Sequence, residues 1–348
     1  MNTAEELNTL LASNLDFVAY RLPNASVSAL YFTPEAQTID AKELGRKDGF
    51  LIAPFQHHNR YTLIPFSRDW STVKPAAFDF EPAVKSTVPT DYYRAANYFI
   101  EAMKASKLDK VILSRVEARS FDQPQDWTNI YNQLCAAYPK AFVYLFRTQA
   151  QGMWMGATPE QFLNVEDQHL STVALAGTQP RSEAIHWSEK EKEEQQFVTQ
   201  YIEQLYLKNN MDVAIEGPQT VTAGPVAHLK TSFQSRDKVD SDFLAQFAKD
   251  LHPTPAVCGL PKEKALEYIL SQEHHQRACY CGFLGPIHRT DLNLFVNLRC
   301  MQIFKEQLAL YIGGGLTKDS EPEQEWQETV EKAKTLLAII ESSQNSNP

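Results

Sequence analysis

The run Ala141-Phe-Val-Tyr-Leu-Phe-Arg-Thr148, followed closely by Met153-Trp-Met-Gly156 and His169-Leu-Ser-Thr-Val-Ala-Leu175, decides the fold class. Each piece is short, rich in β-branched or aromatic residues and bounded by turn formers, so each reads as a strand. Strands that follow one another through short turns pair antiparallel, because a parallel pair needs a long crossover. Residues 110–117 add a strand before this group, and residues 293–304 and 307–311 form a second strand cluster near the C-terminus. Helical periodicity covers residues 92–106, 188–208, 240–250, 262–272 and 321–342. Segregated strands and helices of this kind predict an α+β fold. No G-x-G-x-x-G follows a strand and no G-x-x-x-x-G-K-[ST] occurs, which excludes dinucleotide-binding and P-loop readings.

The 348 residues suffice for two domains or one large α+β domain, and 43% apolar with 22% charged residues is a globular composition. Pro75, Pro82 and Pro89 mark a softer stretch, read as a loop between lobes rather than a domain boundary. Residues 342–348, all Ser, Asn, Gln and Pro, read as a disordered tail. The net charge of −10, with no basic cluster, argues against nucleic acid or an anionic membrane as partner. A small anion remains compatible, since one placed Arg or a metal ion holds it against the global field. The N-terminus carries Glu5 and Glu6 and no apolar targeting core, and no stretch approaches the length of a membrane span. Five cysteines without a C-x-x-C pair suggest reduced thiols and a cytoplasmic location.

Two helices carry carboxylates of interest. Ser188-Glu-Lys-Glu191 is a capping box, and the apolar stripe that follows runs through Phe197, Val198, Tyr201, Ile202 and Leu205. At about 100° per residue Glu194 points into that stripe, where an ionised acid is costly unless paired or metal-bound. On the last helix Glu325, Glu328 and Lys332 share a face opposite the stripe of Trp326, Val330, Ala333, Leu337 and Ile340. Gly313-Gly-Gly315 precedes that helix and is expected to form a strand-to-helix turn where a ligand approaches backbone amides. Oxygen-only ligands from two helices, without a His/Cys set, suit Mg²⁺.

Further segments carry a family resemblance. Lys110-Val-Ile-Leu-Ser-Arg115, Trp154-Met-Gly-Ala-Thr-Pro-Glu160, Ala174-Leu-Ala-Gly-Thr178 and Leu251-His-Pro-Thr-Pro-Ala256 resemble the chorismate-utilising enzymes, the group that includes anthranilate synthase component I. So do Tyr280-Cys-Gly282, Asn297-Leu-Arg299 and the stretch from Gly313 to Lys332 with Glu325-Trp-Gln-Glu-Thr329. The match runs in family order over roughly residues 90–340, and the first ninety residues fit loosely. It implies two antiparallel β-sheets packed face to face with helices outside and a cleft between them. It also implies a variable N-terminal part over residues 1–90 and a chorismate-binding catalytic region over residues 91–341.

The resemblance further assigns roles. Family members with a lysine nucleophile carry it two residues before the Gly-Thr, where this chain has Leu175-Ala176 before Gly177. Ammonia-using members lack the Lys matching Lys110. Lys110 with Glu160 resembles the water-using branch, the isochorismate synthases, with the pyruvate-eliminating salicylate synthases as the alternative. Water addition at C2 of chorismate needs a base and loss of the C4 hydroxyl needs an acid, roles that fall to Lys110 and Glu160. Glu160 must stay protonated, with Trp154 and Met155 expected to supply apolar surroundings. Glu194 and Glu328 match the Mg²⁺ ligands, with Glu325 assisting, and Arg299 and Tyr280 match residues that hold a carboxylate. Gly177, Thr178 and Gly313 would add substrate contacts, and His252 and Lys332 would line the site. The expected partners are chorismate and isochorismate, with no amidotransferase subunit, and a monomer; menaquinone and siderophore pathways stay open. One departure is Glu194-Gln195, where many relatives have Glu-His. Another is Cys258, where Gly is commoner. Cys279, Cys281, His57-His58 and His274-His275 are not read as ligands.

Overall fold

The computed structural model describes residues 3–77, 80, 84–180, 182, 185–223, 226–289 and 291–345. The chain opens with α1 (Thr3–Leu11), β1 (Asp16–Arg21), β2 (Ala29–Thr33), β3 (Gln37–Asp40), β4 (Asp48–Ala53) and β5 (Arg60–Ile64). Next come α2 (Pro89–Lys104), β6 (Lys110–Ser120), α3 (Trp127–Ala137), β7 (Phe142–Thr148), β8 (Gly152–Thr158), β9 (Gln161–Glu166) and β10 (His169–Pro180). They are followed by α4 (Glu189–Lys208), β11 (Val213–Ala223), β12 (Val226–Lys238), α5 (Ser241–Leu251), β13 (Gly259–Leu260) and α6 (Lys262–Gln272). The last elements are β14 (Phe283–His288), β15 (Asp291–Val296), β16 (Cys300–Ile303), β17 (Gln307–Leu316) and α7 (Pro322–Asn345).

The strands form two antiparallel sheets, ordered β13-β6-β17-β16-β8-β7-β1-β2 and β11-β12-β10-β9-β15-β14-β4-β5-β3. The strand run that opens the sequence reading shows why they stack. In β7, Phe142, Tyr144 and Phe146 enter the core between the sheets, while Val143 and Leu145 enter a second core outside. A strand with period-two side chains and two buried faces is apolar at almost every position, which accounts for its composition. Phe142 stacks on Phe295 of the opposite sheet with centroids 4.3 Å apart, and Tyr20 meets Phe50 at 5.2 Å. The outer core of the eight-stranded sheet is closed by α1, α3 and α7 through Leu7, Leu10, Ile130, Leu134, Ala333 and Leu336.

Three differences from the sequence reading have physical causes. Residues 293–304 are two strands, β15 and β16, in different sheets, because Asn297 turns the chain between them. Its buried amide donates to the Cys279 carbonyl at 2.9 Å and accepts from Tyr144 Oη at 2.7 Å. Gly313–Gly315 lie inside β17, paired with Ser114, Leu113 and Ile112, and do not form a turn; α7 begins only at Pro322. Helix α7 continues to Asn345, into the stretch expected to be a loose tail, whose residues 346–348 lie outside the described ones. Strands β1 and β2 extend one sheet while β3, β4 and β5 extend the other, so the N-terminal strands belong to the same two-sheet fold.

Candidate active site

Lys110 begins β6 and ends up inside the molecule, 2% exposed. Its neighbours on β17 carry no side chains, and that is what leaves it room. A Cβ on Gly315 would come within 3.1 Å of Lys110 Cε, and one on Gly313 within 2.6 Å of Tyr280 Oη. The glycine run therefore forms a bare-backbone wall that lets Lys110 and Tyr280 lie against the strand. Both face a cleft of about 190 Å³.

Glu160 reaches the same cleft from the link between β8 and β9. Burial pushes its carboxyl up to about 8, against the opposing pull of the Lys110 charge. At neutral pH it is a protonated acid. Trp154 and Met155 do not supply its surroundings: Trp154 lies in the inter-sheet core and Met155 in the outer core. Pro159, Tyr280 and Cys281 line the cleft instead, and burial holds the Cys281 thiol up at about 12.

Helix α4 closes one side. The residue that faces its core is Gln195, next to Glu194. Gln195 is 2% exposed and bonds the Ala176 amide at 2.8 Å, the Ala174 carbonyl at 3.0 Å and Thr231 Oγ1 at 3.0 Å. A neutral amide satisfies both its donors and its acceptor there, so it staples α4 to β10 and sets Glu194 at the edge of the cleft. Glu194 Oε2 lies 3.9 Å from Lys110 Nζ. Glu191 also lines the cleft, besides its capping contact from the Ser188 amide at 2.9 Å.

Helix α7 closes the other side, docked on β6 by Arg115. That guanidinium donates to Thr329 Oγ1 at 2.6 Å and to Glu117 at 2.9 Å, and lies 4.6 Å over the Trp326 ring. Glu328 and Lys332 face the cleft, paired at 2.7 Å, and Lys332 also donates to the Gly313 carbonyl at 3.0 Å. Glu325 is placed differently from the expectation: it is buried beside Gly314, accepts from Ser320 Oγ at 2.6 Å and is not a lining residue.

Of the other expected site residues, Gly177, Tyr280, Arg299 and Gly313 line the cleft. The side chain of Thr178 lies outside the described ones. His252 is a correction. It does not line the cleft but packs among Phe55, Phe162 and Phe283, its Nε2–H donating to the Phe55 carbonyl at 2.9 Å. Burial pushes it down to about 3, so it is a neutral core histidine. His228 on β12 does line the cleft, 3.1 Å from the Gly177 carbonyl, and burial pushes it down to about 4.

Among the described residues no three His, Cys, Asp or Glu side chains are grouped so as to hold a metal by themselves. Glu194 and Glu328 nevertheless project from two helices onto one cleft, each with a lysine as counter-charge. Two carboxylates fit a hard divalent cation whose remaining positions are filled by water or an anionic ligand.

A family model described as chorismate binding enzyme matches residues 67–341. The chain belongs to the chorismate-binding enzymes. Within that family it is 27% identical over 269 residues to the vibriobactin-specific isochorismate synthase of Vibrio cholerae, covering 73% of this chain and 68% of that protein. It is 28% identical over 246 residues to the isochorismate synthase EntC of Escherichia coli, covering 67% of this chain and 63% of that protein, so the match spans less than two-thirds of that relative. The solved structure of MenF, the menaquinone-specific isochorismate synthase from Escherichia coli, superposes with a TM-score of 0.81 at 20% identity. That superposition covers 98% of this chain and 91% of MenF, and it shows a shared fold. No described helix of this chorismate-binding enzyme is long and apolar enough to cross a membrane.

Proposed function

We propose that the protein is an Mg²⁺-dependent isochorismate synthase, an isomerase that interconverts chorismate and isochorismate. The observation that carries this reading is a buried Glu160 and a buried Lys110 lining one cleft, with burial pushing the Glu160 carboxyl up to about 8. Lys110, as the neutral amine, takes a proton from water as the water oxygen bonds to C2. Both ring double bonds shift, C1=C2 to C1=C6 and C5=C6 to C4=C5, the C4–oxygen bond breaks, and Glu160 protonates the departing hydroxyl. One water enters and one leaves, so no redox cofactor is required. When bound, Mg²⁺ held by Glu194 and Glu328 supplies positive charge that orients and neutralises a carboxylate. Arg299, whose side chain makes no hydrogen bond with the described residues, offers a planar fork to the second carboxylate, with Tyr280 beside it.

The test is incubation of purified protein with chorismate and Mg²⁺, without ammonia, followed by chromatographic separation. Isochorismate alone, lost on chelation, supports the reading. Salicylate with pyruvate assigns the salicylate synthase reaction, and no product overturns both.

A further inference from the structure

Adjoining the cleft is a second, larger cavity, about 910 Å³ against about 190 Å³. Pro159, Leu175, His228 and Arg299 line both, so these four side chains are the partition between them. The two spaces differ in charge. The cleft holds Glu160, Glu191, Glu194 and Glu328 against Lys110, Lys332 and Arg299. The second cavity is lined by Lys140, Lys230 and Arg299, and by no Asp or Glu among the described residues. Its three cations form a series in depth. Lys140 is exposed, Lys230 is half-buried, and Arg299 stands at the partition. Lys230 lies two residues from His228 on the same face of β12 and pairs across to Leu175, a partition residue. On a chain of net charge −10, a concave space of purely positive lining focuses field lines and raises the local concentration of a small anion.

We propose that this cavity is the access chamber through which a small dicarboxylate reaches the cleft, with Lys230 as the positioning residue that passes it to Arg299. The proposal rests on the reading of the site as chorismate-binding. The remaining lining, with Thr220, Thr222 and Asn293 among apolar side chains, is neutral, so nothing there holds the anion back.

The test is stopped-flow mixing of the protein with chorismate in the presence of Mg²⁺, followed by tryptophan fluorescence, for wild type and three charge-reversal variants. Lys230→Glu should slow association by roughly fivefold or more while leaving dissociation within about twofold, and should flatten the salt dependence of association. Lys140→Glu, at the exposed end, should slow it by about twofold. Lys104→Glu, an exposed lysine on α2 that pairs with Glu101, changes net charge equally and should have no effect. Lys230→Arg should behave as wild type. Equal effects of Lys230→Glu and Lys104→Glu, or none, would overturn the chamber. Should Lys230→Glu not fold, Lys140→Glu against Lys104→Glu decides the question. If chorismate produces no binding signal with the wild-type protein, the functional reading fails and the chamber with it.

Discussion

Two glutamates are buried against strand β6, each near a cation, and they hold opposite charge states. Glu273 accepts from both the amide and the hydroxyl of Ser114, at 2.7 and 2.8 Å, and receives two bonds from Arg277 at 2.8 and 2.6 Å. Arg277 in turn donates to the Val257 and Ile112 carbonyls and lies 4.6 Å over Phe55. Burial alone would raise the Glu273 carboxyl, but the Arg277 charge and these bonds carry it below the usual range. Glu160 has no such set of donors, and burial leaves it near 8. The lesson is that burial does not decide ionisation. The neighbouring positive charge, together with the hydrogen bonds offered to the charged form, does. One pair is a fastener between β6 and the segment after α6; the other lines the cleft.

The largest way to break the contrast is at the cation on the reactive side. Lys110→Ala should lower turnover by roughly a thousandfold or more while chorismate binding survives, measured by initial rates and equilibrium titration. Near-normal turnover would remove Lys110 as the base. On the fastening side, Glu273→Gln leaves Arg277 buried with its charge uncompensated and should cost about 3–5 kcal/mol in denaturant unfolding, whereas Glu160→Gln should not destabilise. A smaller effect sharpens the comparison through pH. The folded Glu160 carboxyl titrates near 8, above its unfolded value of 4.5, so the folded state holds the extra proton between these limits. Its contribution to stability is complete below 4.5 and is lost as pH rises through 8. Wild type should therefore lose Tm over that window relative to Glu160→Gln, and parallel curves would reject the shift. The smallest effect concerns the glycine wall. Gly313→Ala sets a methyl against Tyr280 Oη and should cost about 1–3 kcal/mol, relieved in part by Tyr280→Phe, as thermal unfolding of the single and double variants would show.

The run around β7 was legible because both its faces are buried, and the helix boundaries because their caps are local. Strands β11 and β12 were not legible. The first lies exposed at a sheet edge, and the second buries His228 on one face and Thr231 and Ser235 on the other, so neither shows a hydrophobic alternation. His228 and Lys230 were missed with them. Glu191 was read only as a cap, although its position one turn before Glu194 was a sign that both could reach one cleft. Glu194 faces the interior as the stripe predicts, lining the cleft beside Lys110, while the role of Gln195 next to it was not legible because a hydrophobic stripe gives no credit to a buried, fully bonded glutamine. His252 was misplaced since a motif gives proximity in sequence, while its ring turned into the aromatic core. The pairing of Lys110 with Glu160 was carried by the family resemblance alone, because fifty residues separate them and no local pattern links the two.

The charge state of Glu160 can be read directly by infrared difference spectroscopy of wild type against Glu160→Gln across the pH range. A protonated carboxylic acid band at pH 7 that is absent from the variant and disappears near pH 8 is the predicted result. A carboxylate signal already complete at pH 7 would contradict the account.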